Sequence, residues 1–344
     1  MPDPCPETLS LLARSLACGA DSSRLQHWLA DPGSAPAELR QRAQQLLDSG
    51  EARRWLERLR HGGWQLLWRG HQHWPVLLDA LPDAPGLLFV RGHSDCLTRP
   101  QLAMVGARHA SPEGCGHARR FARELAERGF VITSGLAAGI DAAAHRGALE
   151  NGHTVAVLAH GPEQLYPARH RSLADELVAR GGALVTEFPP GTPPLKHLFP
   201  YRNRIIAGMS LATLVIEAKV RSGSLVTARL AGELGREVFA MPGAVHNPFS
   251  RGCHKLLREG ANWLESLQDL AAALPQLALV AEALPGDPAE TGHPLLQHFA
   301  DGINAMDALQ QRSGLEPMTL ARELAELELD GQIRREAGGY SRCR

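Results

Sequence analysis

The 344-residue sequence carries almost no net charge: 36 Lys and Arg offset 37 Asp and Glu, leaving a formal charge of −1 with its 16 His neutral. Such a balance provides no global attraction for a polyanion, so any nucleic-acid site has to be a local concentration of positive charge. No stretch approaches the roughly 18 uninterrupted apolar residues of a membrane helix, which argues against a membrane protein. The opening segment MPDPCPETLS holds acids and prolines instead of a basic region and a long apolar run, so no signal peptide is visible. Six cysteines (Cys5, Cys18, Cys96, Cys115, Cys253 and Cys343) are scattered without a C-x-x-C pair, against both a disulfide framework and a zinc cluster. A reduced, cytoplasmic compartment is the expectation. There is also no G-x-G-x-x-G fingerprint, no Walker loop, no G-x-S-x-G elbow and no H-E-x-x-H, so dinucleotide, ATP, serine-hydrolase and zinc-protease chemistry are not indicated. Neither a cofactor, a metal nor a catalytic group is expected.

What is present divides into four segments. Residues 1–62 place leucines at helical spacing (Leu9, Leu12, Leu16; Leu25, Leu29; Leu46, Leu47), broken near Pro32–Pro36 and at Gly62-Gly63. This predicts a small helical domain used for packing or interaction. Within residues 63–274, from about residue 99, short apolar or β-branched runs alternate with amphipathic helices. The runs are Leu102–Val105, Val131–Thr133, Thr154–Leu158, Ala183–Thr186, Leu211–Ile216 and Glu237–Ala240. That alternation is the pattern of a doubly wound parallel α/β sheet, which binds ligands beyond the carboxyl ends of its strands. Residues 275–292, rich in Ala, Leu, Pro and Gly, read as a linker. Residues 293–344 read as three short helices and a glycine-turned hairpin, a winged-helix layout. Its longest helix carries Glu323, Glu326 and Glu328, which repel phosphate and favour a protein-contact or structural role over DNA reading.

Three loops at strand ends gather small residues and anion-binding groups. Val105-Gly106-Ala107-Arg108 is followed by a helix opening at Ser111-Pro112, which sets Arg108 over the crevice. Ser134-Gly135-Leu136-Ala137-Ala138-Gly139-Ile140-Asp141 leads into a helix, its glycines expected to let main-chain N–H groups approach an anion; a bare turn is the plainer alternative. Arg221-Ser222-Gly223-Ser224 opens another helix beside Lys219, with Ser222 or Ser224 also suited to capping it.

Between these loops lies Lys196-His197-Leu198-Phe199-Pro200-Tyr201-Arg202-Asn203-Arg204, and no acid occurs from Phe188 through Ile216. Rings interleaved with cations suit stacking on bases and contact with phosphates, and stacking favours a single strand because a duplex hides its base faces. The alternative keeps Phe199 in the core and pairs one arginine with Glu187 or Glu217. His145, four residues from Asp141, could be imagined as an acid–base pair, but packing or loop bracing is preferred.

These motifs resemble the DNA-processing protein A family (DprA, also called Smf). The matching residues are Val105-Gly106-Ala107-Arg108, Ser134 through Asp141 with His145, Tyr166-Pro167, Phe199-Pro200-Tyr201-Arg202-Asn203-Arg204-Ile205-Ile206-Ala207-Gly208, Glu217-Ala218, Ser222-Gly223-Ser224-Leu225 with Thr227-Ala228, and Met241-Pro242-Gly243. The resemblance implies an extended Rossmann-like core flanked by a small helical domain, of sterile-alpha-motif or helix-hairpin-helix type, and a winged helix. It also implies a homodimer that binds single-stranded DNA, protects incoming strands and loads the RecA recombinase during natural transformation. Implied DNA contacts are Arg108, Lys196, Phe199, Arg202, Asn203 and Arg204. Together with the loop residues Ser134, Gly135, Gly139, Lys219, Ser222, Gly223, Ser224 and Thr227 they form the expected site. Ala107 stands where the family usually has serine, which removes one hydroxyl. Two other classes share the core: phosphoribohydrolases resembling lysine decarboxylases, whose catalytic acid is missing around Thr227-Ala228-Arg229, and ligand-sensing winged-helix regulators.

Overall fold

The computed structural model describes residues 5–274, 294–299, 304–329, 332–336 and 338–342. It divides into two compact units between Pro275 and Gln276. The linker expected at 275–292 lies outside the described residues.

The larger unit begins with four helices, α1 (Pro6–Cys18), α2 (Ser22–Ala30), α3 (Ala37–Asp48) and α4 (Glu51–His61). A mixed sheet follows: β1 (Trp64–Trp68), β2 (Leu87–Gly92), β3 (Gln101–Val105), β4 (Val131–Ser134), β5 (Thr154–Val157), β6 (Ala183–Thr186), β7 (Ala212–Val215), β8 (Glu237–Ala240) and β9 (Asn262–Trp263). Between and after the strands run α5 (Pro112–Glu127), α6 (Ile140–Asn151), α7 (Arg171–Ala179), α8 (Leu198–Met209), α9 (Gly223–Glu233), α10 (Arg251–Arg258) and α11 (Leu267–Ala273).

Strand order is β1-β2-β6-β5-β4-β3-β7-β8-β9. From β6 to β9 every pairing is parallel, as the alternating pattern predicts. β1 and β2, which the alternating pattern does not predict, extend the sheet antiparallel at one edge. Successive residues of the inner strands enter opposite apolar layers. Val155 and Val157 join Val185, Ile205 and Ile206 on one face. Ala156 and Leu158 join Leu184, Leu149 and Leu177 on the other. Strands buried on both faces read as continuous apolar runs, which is why these were legible. Leu12, Leu25, Leu56 and Leu59 pack into that second layer beside Leu87 and Phe89, so the N-terminal helices share the sheet's core.

The chain leaves β3 in one direction through β4, β5 and β6, then returns to place β7 on the other side of β3. That reversal is the switch point at which doubly wound sheets open a crevice.

The smaller unit holds a 3-10 turn at Pro294–His298, helices α12 (Met306–Ser313) and α13 (Pro317–Leu329), and a hairpin of β10 (Ile333–Glu336) with β11 (Gly339–Arg342). Leu309, Leu320, Leu324, Leu327 and Ile333 make its own core. No helix among the described residues is long and apolar enough to cross a membrane.

Candidate nucleic-acid interface

Three loops meet over the switch point, and each handles the positive end of its helix differently. Ser111 caps α5, its hydroxyl accepting the N–H of Gly114 at 2.9 Å. The same hydroxyl donates to Glu217 at 2.6 Å, and the Ser111 N–H donates to the other Glu217 oxygen at 2.9 Å. A carboxylate of the chain itself thus sits at the α5 N-terminus, where the aligned peptide dipoles favour negative charge. Arg108, on the preceding loop, is exposed.

The β4–α6 loop is likewise filled from within. Asp141 curls back so that one carboxylate oxygen accepts the N–H groups of Gly135 (3.1 Å) and Ala137 (3.3 Å). Burial raises the Asp141 pKa, opposed by nearby Arg202 and by those two N–H groups. Leu136 between them has φ of +57°, a left-handed conformation that costs a non-glycine residue on the order of 1–3 kcal/mol. The strain is held by surroundings on both sides: the Leu136 side chain is fully buried and its carbonyl is 2.8 Å from His170 Nδ1.

These facts correct the expectation for three residues of the site. Gly135 cannot offer its N–H to a phosphate, because Asp141 already holds it. Gly139, at φ +76°, is glycine because a Cβ there would lie 2.1 Å from the Ala107 carbonyl oxygen. Its function is the close approach of two loops. Ser134 is fully buried and donates to the Met104 carbonyl at 2.6 Å.

The third loop is open. No side chain caps α9 at Ser222, whose hydroxyl instead lies 2.8 Å from that of Ser224. Asn203 reaches across from α8 to donate to the Gly223 carbonyl at 3.1 Å. Lys219 and Arg221 flank this helix start, both exposed and neither in an ion pair among the described residues.

The basic segment 196–204 starts a helix, so its side chains diverge instead of lining one loop. Lys196 is exposed and Phe199 half-buried, while the guanidinium groups further along turn inward. Arg204, 3% exposed, donates to both oxygens of Glu187 at 2.6 and 2.7 Å and to Asp83 at 2.8 Å. It also lies 4.0 Å from the centre of the Tyr201 ring. This is the expected arginine–Glu187 alternative, and it corrects the assignment of Arg204 to phosphate: a buried, doubly paired guanidinium has no face left for a ligand. Arg202 donates to the carbonyls of Gly135 and Val157, and burial lowers its pKa to about 10. It forms part of the cleft wall, with its nitrogens engaged in tying α8 to the strand ends.

The resulting cleft, of about 730 Å³, brings together Arg108, Lys196, Phe199, Arg202, Asn203, Lys219, Ser222, Gly223, Ser224 and Thr227. Asp141 is the one carboxylate among its lining residues. Arg108 carries its guanidinium carbon 5.5 Å from the centre of the Phe199 ring. The same ring meets Tyr166 edge to face, centroids 5.6 Å apart. Tyr166 is 49% exposed and was not assigned to the site from sequence, although a tyrosine beyond the end of a central strand was the available signal. Phe249, after β8, also lines the cleft and was missed for want of any local pattern.

His145 and Asp141 do not pair. His145 is fully buried, with Nδ1 2.6 Å from the Thr154 hydroxyl and Nε2 without a partner. Burial lowers its pKa to about 3, so it stays neutral. Among the described residues, no three His, Cys, Asp or Glu side chains are grouped as metal ligands.

Residues 65–275 match the family model described as DNA recombination-mediator protein A. The chain belongs to that family. Residues 280–339 match the DprA winged helix domain. Protein Smf of Escherichia coli (strain K12) is 42% identical over 361 aligned residues, covering 98% of this chain and 95% of that protein. The crystal structure of DNA processing protein A from Streptococcus pneumoniae aligns with a TM-score of 0.69 at 35% identity, over 77% of this chain and 97% of that one. A structure describing the single-stranded DNA binding mode of DNA processing protein A from Helicobacter pylori aligns with a TM-score of 0.56 at 29% identity, over 62% and 96% of the two chains.

Proposed function

We propose that this family member binds single-stranded DNA in the cleft over the switch point and passes it to the RecA recombinase, protecting incoming strands during natural transformation. The reading is carried by one observation: four exposed cations, Arg108, Lys196, Lys219 and Arg221, share a cleft with the rings of Tyr166 and Phe199 in a chain of nearly zero net charge. Cations track a backbone, and rings accept bases only where the bases are not already paired. The protein acts as a cytoplasmic homodimer without cofactor or catalytic step. Its C-terminal unit serves protein contact or structure. The Helicobacter pylori relative supports the ligand class.

A titration with oligothymidine and with a duplex of equal length tests the reading. Affinity should be higher for the single strand, and with four phosphates neutralised log K should fall against log salt with a slope of about −2.8, from roughly 0.7 per phosphate. Equal affinity for duplex, or no dependence on salt, rejects it. A strand-exchange assay with and without the host recombinase tests the hand-over, which should raise the recombinase's yield on coated single strands.

A further inference from the structure

We infer that Phe249 and Lys219 form a second base-stacking station in the cleft, separate from the Arg108–Phe199 station, so that one bound strand is gripped at two points. The inference rests on the single-strand reading above and extends it to Phe249, which no motif marks.

The Lys219 ammonium lies 4.9 Å from the centre of the Phe249 ring, repeating the cation-over-ring arrangement of Arg108 and Phe199. Lys219 makes no ion pair among the described residues, and Phe249 is partly buried where it lines the cleft. The backbone that carries the ring is anchored on both sides. The Phe249 carbonyl accepts the Ala218 N–H at 2.6 Å, its N–H donates to the Asn247 side chain at 2.9 Å, and the Gly252 N–H returns to the Ala218 carbonyl at 2.8 Å. A ring carried on an anchored backbone has less freedom to lose when a base stacks on it.

Ring contacts separate the two stations. The Phe199 ring meets Arg108 and Tyr166, whereas Phe249, tied by its carbonyl to Ala218 just beyond β7, meets Lys219. A base on Phe199 and a base on Phe249 are then different nucleotides of one strand.

The test measures binding of an oligothymidine of about ten nucleotides, within the range of ordinary single-strand sites, and of an equally long oligomer whose bases are replaced by abasic spacers. The proteins are the full chain and its variants Phe249→Ala, Phe249→Leu and Phe249→Trp, each with its melting temperature recorded. Phe249→Ala and Phe249→Leu should weaken oligothymidine about 5- to 100-fold, Phe249→Trp should hold wild-type affinity, and none should alter binding of the abasic oligomer. Wild-type affinity in Phe249→Leu overturns the station, because a merely apolar filler then suffices. An equal loss on the abasic oligomer overturns it too. If the unaltered protein does not distinguish the two oligomers, the single-strand reading itself fails; if it does and the Phe249 variants bind normally, only the second station falls.

Discussion

Arg108 and Phe199 come from different crossovers of the sheet, yet the arginine's guanidinium lies over the phenylalanine's ring at 5.5 Å. The contact joins the two interactions a single strand requires, charge for the backbone and a π-face for the base. Because Arg108 is exposed, Arg108→Ala should fold normally. It should weaken oligothymidine binding and flatten the salt dependence by about 0.7, the share of one phosphate contact. A salt titration yields both quantities, and an unchanged slope removes Arg108 from the phosphate path.

Phe199 acts by other physics. Phe199→Ala should cost about 1–3 kcal/mol of binding with the salt slope unaltered. The ring also packs beside Leu198 and Phe188, so thermal melting has to accompany the titration. Normal binding by a variant with a collapsed melting temperature would assign the ring to the core alone.

Arg204→Ala should destabilise the protein by about 3–5 kcal/mol, because it strands the buried Glu187 carboxylate without its counter-charge. Replacing both partners with apolar residues, Arg204→Met with Glu187→Leu, should recover much of that loss in denaturant melts. If Arg204→Ala melts like the parent, the pair contributes nothing to the fold.

Acid should destabilise the protein through His145. Its folded pKa of about 3 lies below the ordinary 6.5, so between those values the unfolded chain binds the extra proton and stability falls as pH falls. The contribution lost between pH 7 and pH 5 is on the order of 2 kcal/mol. His145→Gln should lower stability at pH 7 and make the curve flatter over that interval; an equally steep curve would place the acid sensitivity elsewhere.

The parallel strands were legible because a run such as Thr154–Val157 is apolar on both faces. Trp64–Trp68 and Leu87–Gly92 lie outside the alternating βα rhythm and pair antiparallel, so that rhythm does not announce them. The loops with cations could be read from spacing, whereas the direction of each guanidinium could not. Arg202 and Arg204 lie in the same basic run as Lys196, and only the helix periodicity of α8 turns them toward buried carbonyls and Glu187. In the same way, nothing local to Gly135 reveals that its N–H belongs to Asp141, six residues on.

Glu217 fills the start of α5, and Asp141 holds the N–H groups of the loop that leads into α6, two places at which this architecture can seat the phosphates of a soluble nucleotide. Those seats are occupied by tethered anions that dilution cannot remove and that added ligand displaces only by breaking the loops. Abundant small phosphates such as ATP therefore meet the uncapped start of α9 and four exposed cations, while a polymer engages many weak contacts at once. On the proposed function, prior occupancy lets the cleft discriminate between a strand and the nucleotide pool, and a competition titration of bound oligothymidine with ATP should show little displacement.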